Sequence, residues 1–340
     1  MARVLVMMSG GVDSSVAAAL LRDEGHDVTG VTLKLWGGES DSGCCSVADV
    51  EDARRVAAQL GIAHYVFNFS DGFDADVVTP YVDAYAAGET PNPCVECNRS
   101  MKFGRVLERA RLLGYDLVAT GHHARVVATE LGPALARAVD RAKDQSYVLY
   151  MLGPDELART RFPVGELTKA SVRGRARELG LRTADKRESM DVCFITRGGR
   201  EAFLGARIPR RPGTIVDERG VVVAAHGGID AFTIGQRRGL GVAVGERRYV
   251  TDIAAATATV TVGPRDALLQ ERVALRDLRW SRPPSGARLQ VQSRAHAAPV
   301  PATLDGGDVV YASPQPRVAP GQVVAIYDGD LCCGGGIVAR

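Results

Sequence analysis

Between an apolar run ending at Met8 and a helix-forming stretch that follows stands Ser9-Gly10-Gly11-Val12-Asp13-Ser14-Ser15. This succession of strand, glycine loop and helix constrains the chain more than any other feature. Small residues let several backbone N–H groups turn toward one point, and the helix N-terminus adds partial positive charge, so the loop suits an anion. It lacks the Gly-Lys-Ser/Thr ending of a Walker loop, so it is not the usual grip on β- and γ-phosphates. The plain alternative is a capped glycine turn; the agreement of strand, loop and helix favours the phosphate loop.

The pattern that opens at the loop continues through the first half. Arg3 to Met8, Asp27 to Lys34, Ala63 to Phe69 and Tyr115 to Thr120 are β-branched, apolar runs that read as strands. Helices lie between them. One starts at Ser46, a capping residue with Asp49 near the positive end, and presents Val50, Ala53, Val56, Ala57 and Leu60 on one face. Another carries Phe103, Val106, Leu107, Ala110 and Leu113. Parallel strands need crossovers, so the succession predicts α/β architecture, a doubly wound parallel sheet with its ligand beyond the strand C-termini. Leu33 and Gly121 stand at such strand ends and suit a nucleotide, although each also suits ordinary core or turn. His122 and His123 are adjacent, point apart and have no third ligand spaced with them, which argues against a metal site.

Near residue 200 the texture changes. Arg207 to Pro212 is a Pro/Arg-rich linker, and short strands punctuated by Gly, Asp and Pro follow at Gly213 to Asp217, Val221 to Ala225, Arg248 to Thr251, Thr257 to Val262, Arg288 to Ser293 and Gln322 to Tyr327. The division expected is residues 1–200, 201–270 and 271–340: a nucleotide-binding catalytic domain, a small β-rich central domain and a final β domain. A chain of 340 residues with 46% apolar composition can bury more than one core.

Net charge is only +2, so a nucleic-acid partner is neither demanded nor excluded by the whole-chain field. Local clusters carry that role: Arg197, Arg200, Arg207, Arg210 and Arg211, then Arg237/Arg238 and Arg247/Arg248. A solvated charged face is the default for any one of them. Seven cysteines, including Cys44/Cys45 and Cys332/Cys333, do not resemble a secreted disulfide framework; they fit a reducing compartment, and the expected location is the cytoplasm. The run from Val4 to Met8 is too short for a signal-peptide core, and no membrane span is expected. Cys44/Cys45 and Cys332/Cys333 read as packing residues.

Two further thiols lie in motifs. Asn92-Pro93-Cys94-Val95-Glu96-Cys97-Asn98 follows a helix, and Asp191-Val192-Cys193-Phe194-Ile195 follows about a hundred residues later. The glycine loop resembles the pyrophosphate loop of the ATP pyrophosphatase superfamily. With Thr90-Pro91-Asn92-Pro93, Cys97-Asn98, Lys102-Phe103, Thr120-Gly121-His122, Lys143-Asp144-Gln145-Ser146-Tyr147, Phe162-Pro163-Val164-Gly165, Cys193-Phe194-Ile195, Ile234 to Gly241 and Gly334-Gly335-Gly336-Ile337 in order, nearly the whole chain resembles the tRNA-specific 2-thiouridylase family.

That resemblance implies an N-terminal PP-loop domain, a central β-rich domain and a C-terminal β-barrel. It implies ATP and Mg2+ at Met7, Met8, Ser9, Gly10, Gly11, Val12, Asp13, Ser14, Leu33 and Gly121. Cys193 would carry persulfide sulfur from a donor protein and attack an adenylated uracil C2, and Cys97, the family's nucleophile, would resolve it, leaving a Cys97–Cys193 disulfide. Asn92, Pro93 and Cys94 would meet the target base of tRNA, and Lys143, Asp144, Gln145, Arg294 and Ala295 would touch RNA. Two positions depart from the pattern. Cys94 stands where several members have Asp, which gives Cys94-x-x-Cys97 plus Cys193 and admits a [4Fe-4S] cluster on three thiols; one C-x-x-C is weak evidence for zinc. Ala295 stands where an aromatic is frequent, which removes a stacking contact.

Overall fold

The computed structural model describes residues 1–35, 46–187, 192–195, 199–242, 246–284, 289–295 and 297–340. Cys44, Cys45, Asp191, Arg197 and Arg288 lie outside that set.

Strands β1 (Arg3–Met7), β2 (Asp27–Lys34), β3 (Ala63–Asn68) and β4 (Leu117–Thr120) form where the β-branched runs predict them. Helices α1 (Val12–Asp23) and α2 (Val47–Leu60) cross between them. Ser46 caps α2 by accepting from the Asp49 amide at 3.1 Å, and Gly61 ends it in the left-handed conformation. Alternate β1 residues enter two different cores. Val4, Val6 and Met8 pack under α1, α2 and the helix Lys169–Glu178, whereas Leu5 and Met7 face Phe73, Tyr81, Met101, Val106 and Phe194. A strand covered on both faces is therefore continuously apolar, and each fully buried Val or Leu contributes roughly 1.5–3 kcal/mol.

The chain continues through a hairpin, β5 (Ala124–Thr129) and β6 (Gly132–Arg137), to the short strand β7 (Thr160–Arg161). The parallel sheet has the order β3-β2-β1-β4-β7. Building on one side from β1 to β3 and on the other through β4 and β7 leaves a crevice at the β1/β4 C-terminal ends.

In the central region β8 (Gly213–Val216), β9 (Val222–His226), β10 (Tyr249–Ala254) and β11 (Thr259–Gly263) make a sheet of order β10-β11-β8-β9 around Ile215, Val250, Val260 and Val262. The C-terminal barrel strands are β12 (Leu269–Val273), β13 (Leu275–Trp280), β14 (Leu289–Gln292), β15 (Val300–Asp305), β16 (Asp308–Pro316), β17 (Val323–Asp328) and β18 (Leu331–Val338). Their core includes Val291, Val309, Val324 and Ile326. The ladder runs β12-β16-β15-β14-β17-β18-β6-β5, with β13 also on β18. The β5–β6 hairpin thus joins the last sheet, pairing Leu135 with Cys332 and Ala136 with Leu331. Cys332 and Cys333 are buried in it, and burial pushes both thiols upward in pKa. Among the described residues no helix is long and apolar enough to cross a membrane.

Candidate active site

The loop stands at the switch point. Gly10 has φ +72, and a β-carbon there would lie 2.3 Å from the Asp49 carbonyl oxygen, so α2 closes over a position that only glycine fills. Gly121, past the end of β4, is pressed against α1: a β-carbon would lie 2.5 Å from the Ser14 amide nitrogen. Ser14 Oγ accepts from the Ser9 amide at 3.2 Å and donates to the Gly11 carbonyl at 3.1 Å, which holds the loop in its curve. Gly11 precedes α1 without a side-chain cap, which suits a helix end whose partner is a ligand. Met7 and Leu33 are buried at the ends of neighbouring strands.

Three side chains reach this loop from distant parts of the chain. Lys169 Nζ donates to both Asp13 carboxylate oxygens, at 2.8 and 2.7 Å, and His123 Nε2 is 3.2 Å from Oδ1. Burial opposes ionisation of Asp13, but hydrogen bonds from His123 and Lys169 outweigh it and hold the carboxyl below its ordinary pKa. Lys186 Nζ donates to the Gly10 carbonyl at 3.0 Å, to Asp49 at 2.6 Å and to Asp52 at 2.7 Å. Burial disfavours its charge, and hydrogen bonds to the two aspartates win, raising its pKa. None of the three contacts has a local sequence signature: 110, 156 and 176 residues separate His123, Lys169 and Lys186 from their loop partners. The neighbouring His122 bonds Thr120 through Nδ1 at 2.7 Å and packs its ring near Phe103 and Phe162. Loss of water and then the Lys102 charge depress its pKa far below the usual histidine value, which keeps it neutral.

The thiol segment is ordered by its own residues. Asn92 caps the short helix Pro93–Glu96 by accepting from the Cys94 amide at 3.1 Å, and Pro93 fits the first turn. A π-helical stretch, Cys97–Arg105, continues it, a departure from the plain α-helix that the sequence suggests and one frequent at functional sites. Cys94 is exposed, Cys97 is buried and Cys193 is half-buried. Phe194 anchors the second segment, with ring contacts to Phe73, Tyr81 and Phe203. Cys97, Met7, Leu33 and Phe194 are buried members of one apolar cluster, against which the half-buried Cys193 packs.

The three thiols of the cluster-binding expectation are all among the described residues. Among the described residues, which include Cys94, Cys97 and Cys193, no three His, Cys, Asp or Glu side chains gather as a metal site. Of the C-x-x-C pair, Cys94 is exposed and Cys97 buried.

Of the residues expected to face RNA, Asn92, Cys94 and Arg294 converge on Tyr147. Burial raises that phenol's pKa, a hydrogen bond with Asn92 opposes the rise, and the Arg294 and Cys94 charges act in opposite senses. Pro93 is buried, and Arg294 and Ala295 are exposed. Lys143 is half-buried and Gln145 exposed, but the Asp144 carboxylate is turned inward. It accepts from the Ala138 amide at 2.9 Å and Ser146 Oγ at 2.8 Å, and pairs with Arg137 at 3.3 Å. These bonds fix the shape of the Lys143–Gln145 loop. Gln145 Oε1 accepts from the His123 amide at 2.9 Å, linking the same loop to the Asp13 cluster. Several basic residues also have protein partners: Arg200 bonds the Tyr85 hydroxyl, Arg207 stacks on Phe203, Arg211 donates to the Ala255 and Ala256 carbonyls, and Arg248 pairs with Glu218.

A switch-point glycine loop on a doubly wound sheet, followed by two β domains, defines the chain as a PP-loop protein. Family models agree with this order: a tRNA methyl transferase HUP domain matches residues 2–197, a tRNA methyl transferase PRC-barrel domain 201–264, and an aminomethyltransferase beta-barrel domain 270–338. The tRNA-specific 2-thiouridylase MnmA of Roseiflexus sp. (strain RS-1) is 49% identical over 374 residues, covering 100% of both chains. The protein of the same name from Chloroflexus aggregans (strain MD-66 / DSM 9485) is 49% identical over 355 residues, covering 100% of this chain and 99% of its own. Among solved structures, a 4-thiouridine synthetase–RNA complex with bound ATP overlaps 57% of this chain and 45% of its own, at 17% identity and TM-score 0.40. The chain belongs to the tRNA-specific 2-thiouridylase family.

Proposed function

We propose that this enzyme replaces the C2 oxygen of the wobble uridine of tRNA with sulfur, at the expense of ATP. The glycine loop and the uncapped start of α1 would receive the phosphates, and Met7, Leu33 and Gly121 would border the rest of the nucleotide. The uracil C2 oxygen attacks the α-phosphate, pyrophosphate leaves, and the adenylated oxygen becomes a good leaving group. A magnesium ion accompanying ATP would be held by Asp13, the carboxylate at the loop, and would supply charge neutralisation of the phosphates.

Sulfur arrives as a persulfide on Cys193, passed from a sulfur-carrying protein. Its terminal sulfur attacks C2 and AMP departs, leaving a disulfide-linked adduct between Cys193 and C2. The Cys97 thiolate then attacks the Cys193 sulfur, the adduct bond breaks, and 2-thiouridine is released with a Cys97–Cys193 disulfide, which an external thiol reduces for the next turnover. The observation that carries this reading is that both thiols share an apolar cluster with Met7 and Leu33. That arrangement favours sulfur transfer over the methyl transfer in two of the family-model descriptions. Arg294, Lys143 and Gln145 would contact the RNA, with Asn92 and Cys94 near the base; Pro93 and Ala295 would contribute shape without charge.

The test is incubation with ATP, magnesium, a persulfide donor and unmodified tRNA. Expected is 2-thiouridine formed one-for-one with AMP, in wild type but in neither Cys97→Ser nor Cys193→Ser. Thiolation without AMP release, or full activity in either variant, contradicts the reading.

A further inference from the structure

We infer that Glu89 and Arg276 are positioning residues for sulfur transfer. Their paired charges lock the entrance of the Cys97 segment to the C-terminal barrel, which keeps the base-facing and thiol groups in register with RNA docked on that barrel. This deepens the proposed function and rests on its assignment of Asn92, Cys97 and Arg294. In that reading the chemistry and the RNA grip stand on different parts of the chain, Asn92 and Cys97 in the first half and Arg294 just after β14. A small displacement between groups that must meet costs rate even when each ligand binds normally.

The fold supplies the lock. The helix Thr79–Ala86 gives way at Gly88, which has φ +77, and the Glu89 amide donates back to the Ala84 carbonyl at 2.8 Å. The Glu89 side chain then reaches β13, where Arg276 Nη1 and Nη2 donate to its two carboxylate oxygens at 2.8 and 2.7 Å. Such bidentate pairing fixes direction as well as distance. The Glu89 side chain is 13% exposed, and the Arg276 hydrogen bonds outweigh burial and hold its carboxyl below the ordinary pKa. Strand β13 is irregular at this point. Its register on β18 shifts between Arg276 and Arg279, and Asp277 stands at φ +52, in the left-handed region. Bulges re-aim side chains, and a non-glycine residue in that region is kept there by its surroundings.

The next residue is clamped through its backbone. The Thr90 amide donates to the Pro320 carbonyl at 2.8 Å, and the Thr90 carbonyl accepts from Gln322 Nε2, so both main-chain groups are taken by the connection between β16 and β17. Gly321, at φ +86 in that connection, comes so close that a β-carbon would lie 3.1 Å from Glu89 Cβ and 3.2 Å from the Thr90 amide nitrogen. Pro91, Asn92 and Pro93 follow. Each proline fixes its own φ and restricts the residue before it. The stretch is therefore stiff, and it passes the position of Thr90 on to Asn92 and to the helix Pro93–Glu96 that leads into Cys97. The phosphate loop, in contrast, is held by Ser14, Lys186 and α2, none of them in the barrel.

The proposal is tested in single turnovers of the full chain persulfidated at Cys193, with saturating ATP and unmodified tRNA, beside equilibrium binding of ATP and of tRNA and thermal melting. Glu89→Gln and Arg276→Met should each slow 2-thiouridine formation roughly tenfold, within the hundredfold that a displacement of about 1 Å can cost. Both affinities should stay at wild-type values. An ion pair this open to solvent on the arginine side adds little to stability, so neither variant should melt early. Arg276→Lys, which keeps the charge and can make one hydrogen bond, should recover much of the rate lost in Arg276→Met. A wild-type rate in Glu89→Gln or Arg276→Met, no recovery in Arg276→Lys, or a slowing matched by an equal fall in ATP or tRNA affinity or by early melting would overturn the assignment. Wild type that forms no 2-thiouridine would remove the sulfur-transfer reading itself and this inference with it.

Discussion

The Arg137 guanidinium donates to the Gln292 side-chain carbonyl at 2.8 Å and lies 3.3 Å from the Asp144 carboxylate, joining the β5–β6 hairpin, the barrel and the Lys143–Gln145 loop at one buried point. Its Cζ also stands 3.5 Å from the centre of the Tyr327 ring. Removing one member of a buried charged pair leaves the other uncompensated, which costs about 3–5 kcal/mol. Arg137→Met is therefore expected to lower unfolding free energy by about that amount, read from urea denaturation, with Gln292→Ala costing less. A loss under about 1 kcal/mol for Arg137→Met would show that the network contributes little.

Much of the nucleotide domain was legible because its signals are local. The runs at Arg3, Asp27 and Ala63 and the Ser46 cap declare themselves within a few residues, and β1 to β3 and α2 follow. The joining of the β5–β6 hairpin to the last sheet is not legible in the sequence, because its pairing with β18 joins residues nearly two hundred apart and confers no pattern on either segment. The π-helical turn at Cys97 was invisible for a different reason: it differs from an α-helix in hydrogen-bond register, not in apolar spacing. Lys169 and Lys186 share the first limitation, since long-range contacts such as those to Asp13 and Gly10 leave no periodicity. The inward turn of Asp144 carries no signal of its own, because a Lys-Asp-Gln triplet looks polar whether or not Arg137 waits for its middle residue.

Gly10→Ala should damage the loop in two ways. The position needs φ +72, and the added methyl would meet the Asp49 carbonyl oxygen at 2.3 Å. The expected result is a loss of stability of about 1–3 kcal/mol, for left-handed strain and overpacking together, and loss of ATP binding. Retention of wild-type melting and nucleotide affinity would contradict this account of the loop.

The ionic contacts at the loop also fix a pH dependence. Asp13 has a folded pKa below its unfolded value, so its contribution is present above about pH 4 and is lost as pH falls through the folded pKa. Lys186 has a raised folded pKa, so its contribution is full below about pH 10 and is lost as pH rises through the folded value. Asp13→Asn should flatten the acid limb of a stability–pH curve and Lys186→Met the alkaline limb. Unaltered limbs would show that neither pair is coupled to folding.

Thiol accessibility gives an ordering that alkylation can read. Cys94 is exposed and Cys193 half-buried, whereas Cys332 and Cys333 are buried and held protonated by burial. Peptide mapping after brief iodoacetamide treatment at neutral pH should find Cys94 modified first, Cys193 next, and Cys332 and Cys333 unmodified until the chain unfolds. Early labelling of Cys332 would contradict the packing of β18.

The central claim is that the glycine loop and the thiols of Cys97 and Cys193 serve one reaction. It is tested most directly by a single turnover of enzyme persulfidated at Cys193, with ATP and unmodified tRNA, quenched in acid and mapped without reductant. Expected is a Cys97–Cys193 disulfide that appears in step with AMP and 2-thiouridine and is absent when ATP is withheld. Thiolation that proceeds with no disulfide between these two residues, or a disulfide that forms equally without ATP, would contradict it.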